Sequence, residues 1–319
     1  MKSASPTDAA ALRAARHERI AALGYDYAAQ PKRAVDACNL CGGSVFTVLT
    51  YRDRYGYPAT AVACRSCGLT TLSPVMTPDA YKQFYVGVYR PLVSAFHGRL
   101  IDARTIQDEQ REYAAERGAF VAPFVDGRGF RTLLDIGGST GVVAHAFAGR
   151  FGLRGTVIDP SPLEIDEARA LGLETVTGLV EDYDPAGRAF DVVIMCQTVD
   201  HLLDIAGALR AIRSLIRPDG VFFIDIVDFR AAYLRNWSVE DAIKIDHPYY
   251  LTAPVMEAYL ARAGFDILRV DYAADHLHVG YVCRPGTPAP ETTPGAITVA
   301  RFHDELRFVQ NAPGPAGGR

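Results

Sequence analysis

The sequence predicts a doubly wound α/β domain, with helices on both faces of a mostly parallel sheet, preceded by a small cysteine-rich module. From Phe130 to about Cys283, β-rich apolar runs alternate with helical segments, as expected of parallel strands joined by crossover helices. Four of the six cysteines form two C-x-x-C pairs upstream of that region. With 319 residues, 49% of them hydrophobic, the chain can build one large domain with small additions.

Apolar runs give the candidate strands of the sheet. A helix from about Leu203 to Ile216 shows an apolar stripe at three- and four-residue spacing, and Pro218-Asp219-Gly220 is predicted to end it. A further helix near 254–263 precedes two β-like runs that suit an antiparallel edge. The predicted parallel strands cover 131–136, 155–158, 174–177, 190–196 and 220–227, and the predicted edge runs cover 265–272 and 277–283.

Charge and hydropathy limit the classes of partner. The 33 basic and 37 acidic side chains leave a net charge of −4, which provides no overall electrostatic footprint for nucleic acid. No stretch approaches the ~20 apolar residues of a membrane span, and the start of the chain lacks the apolar core of a signal peptide. We therefore expect a soluble, cytoplasmic protein without disulfides that acts on a small molecule and not at a membrane, and nucleic acid is a disfavoured partner.

A glycine turn follows the first predicted strand in the segment Leu133-Leu134-Asp135-Ile136-Gly137-Gly138-Ser139-Thr140-Gly141. Glycine lets a ligand approach the backbone closely, and the following helix offers free N–H groups to an anionic end of that ligand. The spacing is not the G-x-G-x-x-G of nucleotide-dependent dehydrogenases. A ligand-binding turn is predicted, and an ordinary strand-to-helix turn is the alternative.

Three further features occur at the second, third and fourth predicted strands, and the first two carry carboxylates that could bind a ligand. Asp159, followed by Pro160, ends the second strand, where a carboxylate can accept both hydrogen bonds of a ribose diol. Val180-Glu181 follows the third strand, and Glu181 could accept from an exocyclic amine. Phe190-Asp191-Val192-Val193 opens the fourth strand. Solvated acidic residues in turns are the alternative interpretation of Asp159 and Glu181.

In this order and spacing, these motifs resemble the class I S-adenosylmethionine (SAM)-dependent methyltransferases over about residues 130–284. Ser139 stands where the family's D-x-G-x-G-x-G motif usually has its middle glycine. The resemblance implies a Rossmann-like methyltransferase sheet, SAM as co-substrate, and Tyr89 in a lid segment. The implied cofactor-binding residues are Asp135, Gly137, Gly138, Gly141, Asp159, Pro160, Val180, Glu181, Gln197 and Tyr89.

Within that class, the sequence is similar to the set with an N-terminal zinc-binding module, which includes deoxysugar C-methyltransferases. In that set a Glu-His pair commonly follows the fourth strand, and the matching pair here is Asp200-His201. The resemblance implies that His201 is a general base and that Asp200 orients it. His247, in the loop after the fifth strand, is a second acid/base candidate. A capped turn that packs a loop would show the same Asp-His pair.

The cysteine pairs predict a metal site. Cys38 and Cys41 form one pair, Cys64 and Cys67 form the other, and a glycine directly follows each pair. Two such knuckles bring four thiolates to one tetrahedral ion, for which zinc is the default and iron the chemical rival. Because four sulfur ligands leave no open position, we assign one zinc ion a structural role in a zinc-ribbon-like module.

These features give a domain organisation and a function. The chain is divided into an N-terminal helical arm (1–30), a zinc-binding module (31–75), a helical connection or lid (76–128), a methyltransferase domain (129–285) and a Pro/Gly-rich tail outside the core (286–319). The predicted function is methyl transfer from SAM to carbon or oxygen of a small hydroxylated metabolite, foremost a sugar or nucleotide-sugar. The alternatives are an RNA methyltransferase that uses the zinc module for recognition, and a non-catalytic scaffold. The oligomeric state is not predicted.

Overall fold

A computed structural model describes residues 6–311, apart from the side chains of residues 6–10 and Glu181. The helices are α1 (Pro6–Ala21), α2 (Pro78–Gly87), α3 (Tyr89–His97), α4 (Gln107–Val125), α5 (Val142–Phe151), α6 (Pro162–Ala170), α7 (Ile205–Leu215), α8 (Phe229–Asn236), α9 (Ala253–Ala263) and α10 (Ala296–Asn311). The strands are β1 (Lys32–Arg33), β2 (Phe46–Thr50), β3 (Ala61–Cys64), β4 (Thr70–Leu72), β5 (Val75–Met76), β6 (Thr132–Ile136), β7 (Arg154–Asp159), β8 (Glu174–Thr177), β9 (Phe190–Met195), β10 (Ile216–Val227), β11 (Tyr249–Tyr250), β12 (Phe265–Tyr272) and β13 (His278–Pro285).

The described chain divides into two compact units. The first is drawn from 1–102, 228–255 and 293–319, and it contains the cysteine pairs. The second is drawn from 103–227 and 256–292, and it contains the glycine turn. Within the described part of the chain, no helix is both long and apolar enough to cross a bilayer.

A sheet with the order β12-β13-β10-β9-β6-β7-β8 forms the centre of the second unit. The strands from β8 to β10 are parallel, whereas β13 runs antiparallel to both β10 and β12. Each predicted strand is present within a few residues of its predicted bounds, and the predicted antiparallel edge is the β12–β13 hairpin. The predicted doubly wound α/β fold is therefore confirmed.

The strand sequences explain why this sheet is covered on both faces. Leu133 of β6 and Val192 of β9 belong to a buried cluster with α4, α5 and α6. Leu134 and Val193 point to the opposite face, because side chains alternate along a strand, and they are fully buried as well. Apolar runs with no polar alternation are typical of parallel strands buried on both sides.

One boundary differs from the prediction. The helix α7 ends at Leu215, and β10 begins at the next residue, so Pro218-Asp219-Gly220 lies within the strand and does not end the helix. The pairing of β10 with β9 shifts register between Ile216 and Val221, and an irregular strand accommodates a proline there. A Cβ on Gly220 would lie 2.8 Å from the carbonyl oxygen of Asp191, so glycine is required by close backbone approach.

In the first unit, β11, β4, β3 and β2 form an antiparallel sheet, and β1 pairs with β5. The pairing of Tyr249 with Thr71 adds a strand from far along the chain to the predicted cysteine module. Thr71 also donates from its hydroxyl to the carbonyl of Pro248 at 2.9 Å. The predicted segment 31–75 therefore supplies only part of this antiparallel sheet, whose strand β3 ends at Cys64.

The C-terminal segment differs from the predicted tail. Residues 296–311 form α10, whose Val299, Leu306 and Val309 are buried, and Glu305 accepts a hydrogen bond from the Tyr233 hydroxyl at 2.5 Å. The Pro/Gly-rich composition that suggested a tail belongs to 285–295 and 312–319, whereas the apolar spacing between these segments is helical. The expectation of a segment outside the core was wrong for α10, and residues 312–319 lie outside the described chain.

Candidate functional site

The topology of the second unit places its ligand edge between β6 and β9. The chain passes from β6 outward through β7 to β8, then returns to β9 on the other side of β6. In doubly wound sheets, ligands bind at the carboxyl ends of strands where the strand order reverses in this way. The glycine turn follows β6 and a turn at Gln197-Thr198 follows β9, so two segments predicted to bind the donor flank this point.

Three glycines of the turn occupy positions that a side chain would block. Gly137 has a φ of 68°, and a Cβ there would overlap the side chain of Thr198. A Cβ on Gly138 would lie 2.7 Å from Oδ2 of Asp135, and one on Gly141 would lie 2.7 Å from the Cβ of Ala168. Glycine is therefore required at all three positions by the packing of the protein around the turn, and the turn carries no side chain there.

Ser139 adopts the backbone conformation that the expected glycine would favour. Its φ is 51°, in the left-handed region, and its N–H donates to Oδ2 of Asp159 at 3.0 Å. The other carboxylate oxygen of Asp159 accepts from the N–H of Ser161 at 2.8 Å. Asp159 thus joins the end of β7 to the glycine turn, and the serine keeps the turn in place.

Asp135 is a buried carboxyl directly beneath this turn. It is 0% exposed, and among the described residues no donor completes a hydrogen bond to either of its oxygens, although the backbone N–H of Ala144 faces the carboxyl. Burial, reinforced by the negative charge of Asp159 and only partly opposed by the backbone N–H of Ala144, raises the pKa of Asp135 to about 8. A cationic ligand would compensate the buried charge, and SAM carries both an ammonium and a sulfonium group. The orphaned carboxyl and the bare glycine turn therefore fit the predicted co-substrate.

The remaining predicted donor contacts lie at several places. The N–H of Gly178 donates to the carbonyl of Asp159 at 3.1 Å, which holds the end of β8 beside the end of β7. Val180 is buried in the 3₁₀ turn that follows, while the side chain of Glu181 lies outside the described residues. Pro160 is exposed. Gln197 has a φ of 50° directly after β9.

Tyr89 belongs to the first unit, where it begins α3 and packs edge-on against Tyr85 with ring centroids 5.2 Å apart. Its contact with the donor stays a prediction.

The acid/base candidates are divided between the two units. Asp200 is buried in a 3₁₀ turn with His201, whose backbone N–H donates to the carbonyl of Thr198 at 3.0 Å.

His247 lies in the first unit, where it is buried beside charged groups. Its Nε2 lies 3.0 Å from Nζ of Lys244 and 3.4 Å from Oδ2 of Asp246. Its ring stacks on that of Tyr250 with the centroids 6.2 Å apart. A histidine between a cation and a carboxylate is held in one orientation, as an acid/base group requires.

The four cysteines come together as predicted. Their sulfur atoms all lie within 4.8 Å of one another, with Cys38 and Cys67 separated by 3.5 Å and Cys41 and Cys64 by 3.6 Å. A tetrahedral zinc ion with ligands at ~2.3 Å requires sulfurs ~3.8 Å apart. The donor set and its spacing therefore fit one zinc ion.

The two knuckles have the same backbone design. The carbonyl of Cys38 accepts from the N–H of Gly42 at 2.8 Å, and that of Cys64 accepts from Gly68 at 2.9 Å. Gly42 and Gly68 have φ values of 73° and 79°, which is why a glycine follows each pair. Helix α10 covers the second knuckle, since Nε2 of His303 lies 3.3 Å from the carbonyl oxygen of Cys64.

Sequence analysis missed one polar group at the ligand edge. Asp225, in the middle of the apolar strand β10, accepts from the N–H of Gln197 at 2.8 Å and from the Tyr113 hydroxyl at 2.7 Å. The signal was a lone carboxyl in the run Val221-Phe222-Phe223-Ile224-Asp225-Ile226-Val227, where burying a charge is costly without partners.

The second unit is a doubly wound α/β domain with a glycine turn after β6, a carboxylate at the end of β7 and a buried carboxyl beneath the turn. The family model described as "Methyltransferase domain" matches residues 106–270, just over half of the chain. The chain belongs to this family, and family membership supports the predicted class of SAM-dependent methyltransferase.

Curated relatives are similar over shorter segments. A "Ubiquinone biosynthesis O-methyltransferase" from Methylobacterium sp. (strain 4-46) is 38% identical over 100 residues, which is 29% of this chain and 39% of the relative. A protein of the same name from Azorhizobium caulinodans is 27% identical over 152 residues, which is 42% of this chain and 58% of the relative. The chain thus spans about two fifths to three fifths of these relatives.

Two solved methyltransferase structures superpose on this chain at low sequence identity. The mitomycin 7-O-methyltransferase MmcR superposes with a TM-score of 0.49 and 22% identity, covering 65% of this chain and 60% of its own. The CcbJ methyltransferase from Streptomyces caelestis superposes with a TM-score of 0.45 and 18% identity, covering 59% of this chain and all of its own.

Proposed function

We propose that this protein transfers a methyl group from SAM to a small hydroxylated metabolite, with a hydroxyl oxygen as the methylated atom. The orphaned carboxyl of Asp135 beneath the bare glycine turn carries the proposal, because it suits a cationic donor at the switch point. The O-methyltransferase names of the relatives favour oxygen over carbon. The resemblance to deoxysugar C-methyltransferases found in the sequence supports a sugar or nucleotide-sugar as the acceptor.

The proposed mechanism is an in-line displacement. When bound, SAM supplies an electrophilic methyl group on a sulfonium. The glycine turn admits the donor against the backbone, Asp135 compensates its charge, and Asp159 accepts from its ribose. The acceptor oxygen forms the new O–C bond as the C–S bond breaks, and its proton goes to a ring nitrogen of His201. His247 is proposed as a second acid/base group of the reaction.

The domain assignments and the metal belong to the same proposal. One zinc ion bound by Cys38, Cys41, Cys64 and Cys67 would stabilise the first unit and take no part in the chemistry. The segments 1–30, 31–75, 76–128 and 129–285 are proposed as arm, module, connection and catalytic domain. The geometry of Ser139 weakens the scaffold alternative, since its φ of 51° retains the glycine-like turn. The net charge of −4 weakens the RNA alternative.

Calorimetry with SAM, followed by transfer of labelled methyl groups to a panel of acceptors, tests the proposal. We expect SAM binding, and label on hydroxylated small molecules such as nucleotide-sugars, free sugars or hydroxylated rings. Label on carbon would correct the methylated atom, and label on RNA with steep salt dependence would replace the acceptor class. Absence of SAM binding would reject the proposal as a whole.

Replacing His201 with alanine is expected to slow methyl transfer about 100-fold or more while SAM affinity stays within about twofold, because the base acts on the acceptor proton. Single-turnover rates and calorimetry on the same preparations measure the two quantities. His145→Ala on the exposed face of α5 is the matched control. His247→Ala should lower the rate in the same way, and a histidine whose loss leaves turnover unchanged is not part of the mechanism.

A further inference from the structure

One face of α4 carries a stripe of polar side chains toward the ligand edge of the second unit. Gln110, Tyr113 and Arg117 are spaced three and four residues apart, which places them on the same side of the helix. The side-chain amide of Gln110 can form a hydrogen bond with a hydroxyl group. The Thr140 hydroxyl donates to its Oε1 at 2.8 Å. Since Thr140 belongs to the glycine turn, the first residue of the stripe holds the turn after β6.

The other two residues of the stripe meet at Asp225. The Tyr113 hydroxyl donates to Oδ2 of Asp225 at 2.7 Å, and Nη2 of Arg117 lies 3.3 Å from the same oxygen. Asp225 is 0% exposed and Arg117 is also buried. Burial raises the pKa of Asp225, and the charge of Arg117 and the Tyr113 hydroxyl oppose that effect.

The second oxygen of Asp225 extends this chain of contacts to the turn after β9. Its Oδ1 accepts from the N–H of Gln197 at 2.8 Å. Gln197 has a φ of 50°, a conformation that costs free energy for a residue with a side chain. The next residue, Thr198, donates to the carbonyl of Gly137 at 3.3 Å. One buried carboxylate thus fixes the strained turn that faces the glycine turn.

We propose that Asp225, held by Tyr113 and Arg117, is a positioning residue for methyl transfer that sets the turn at Gln197 against the glycine turn. With the Gln110–Thr140 contact, the stripe on α4 fixes both turns between which the donor would bind. The inference rests on the proposed donor site. A buried ion pair is a poor source of stability compared with apolar packing, so its location at the ligand edge points to a geometric role.

The test compares two replacements of Asp225 by calorimetry with SAM and with S-adenosylhomocysteine. Asp225→Ala removes the acceptor for Gln197 and should weaken binding of both probes about 10-fold or more. Asp225→Asn keeps a carbonyl oxygen for that N–H, so affinity should stay within about threefold. Thermal unfolding should nevertheless show a stability loss in both variants, because each removes the charge partner of Arg117.

Asp191 provides the matched control at the opposite end of the sheet. It is a buried carboxylate in β9 that accepts from the backbone N–H groups of Arg131 and Thr132 at 2.8 and 3.0 Å. Asp191→Ala should lose stability without losing affinity for either probe. Should Asp191→Ala weaken binding as much as Asp225→Ala, or should both Asp225 variants bind like the wild type, the positioning role is overturned.

Hydrogen exchange supplies a readout without ligand. The Gln197 amide should exchange faster in Asp225→Ala than in the wild type and keep its protection in Asp225→Asn, whereas equal protection in all three contradicts the inference. If Asp225→Ala does not fold, Tyr113→Phe takes its place, with weaker SAM binding and faster exchange at Gln197 as the expected results. If the wild-type protein does not bind SAM, the proposed donor site is rejected. If the wild type binds SAM but the Asp225 variants behave as it does, only the positioning role is rejected.

Discussion

Replacing Cys38 with serine is expected to abolish zinc binding and to unfold the antiparallel sheet of the first unit. A tetrahedral four-sulfur site loses most of its affinity with one thiolate, and structural zinc contributes ~10–16 kcal/mol of apparent binding free energy in zinc-finger peptides. Elemental analysis should give about one zinc per wild-type chain and almost none in the variant. Circular dichroism should show lost strand structure in the variant and a lower unfolding midpoint.

The loss should extend to the C-terminal helix, because α10 packs on the second knuckle. The ring of Phe302 lies 3.3 Å from where a Cβ on Gly68 would be, and His303 contacts the carbonyl of Cys64. Limited proteolysis should therefore cut within 296–311 after chelation. Cys283→Ala, a buried lone cysteine in β13, is the control that should keep its zinc. Metal-free protein that unfolds at the wild-type temperature would contradict the assignment, and iron in place of zinc would correct the metal.

Local patterns were sufficient for the sheet of the second unit and for the two clusters of predicted site residues. Buried parallel strands carry mainly apolar runs without polar alternation, so β6, β9 and the second half of β10 were visible in the sequence. The carboxyl ends of neighbouring parallel strands meet at one edge, which placed the glycine turn and Asp159 together. The C-x-x-C spacing fixes knuckle geometry by itself, so the sulfur cluster was predicted as well.

Contacts between segments distant in the chain were not predictable in this way. The pairing of β11 with β4 joins Tyr249 to Thr71 through two residues that carry no strand periodicity. Tyr113 and Asp225 form a hydrogen bond although they are 112 positions apart in the sequence. The polar stripe on α4 could not reveal this contact, because a helix face exposed to solvent has the same sequence pattern. The composition of 285–295 hid the apolar spacing of α10. In each case the stabilising partner was missing from the local sequence.

Asp135 is expected to couple SAM binding to pH. With a pKa of about 8, its carboxyl is mostly protonated at neutral pH in the ligand-free protein. The ionised form compensates a cationic donor, so binding should release a proton, and affinity should increase by up to about tenfold per pH unit until pH 8. Calorimetry in buffers of different ionisation enthalpy measures that proton directly. Asp135→Asn should bind SAM more weakly and without proton release, and an unchanged affinity in this variant would remove Asp135 from the donor site.

The same carboxyl should make the ligand-free protein less stable as pH rises. Its folded-state pKa lies above the ordinary value, so the folded state holds a proton that the unfolded state has lost between about pH 4 and pH 8. The free energy of unfolding therefore falls with increasing pH, by up to about 1.4 kcal/mol per unit for each such group.

Asp53 in the first unit is a second buried carboxyl whose pKa is raised to about 8, mainly by burial. Urea unfolding at pH 6 and pH 8.5 should show a shallower decline in both Asp135→Asn and Asp53→Asn. Only Asp135→Asn should also lose the pH dependence of SAM affinity, because Asp135 is the carboxyl at the proposed donor site. Asp53 instead accepts three backbone hydrogen bonds in the first unit, which explain why a carboxyl is kept there at a cost to stability.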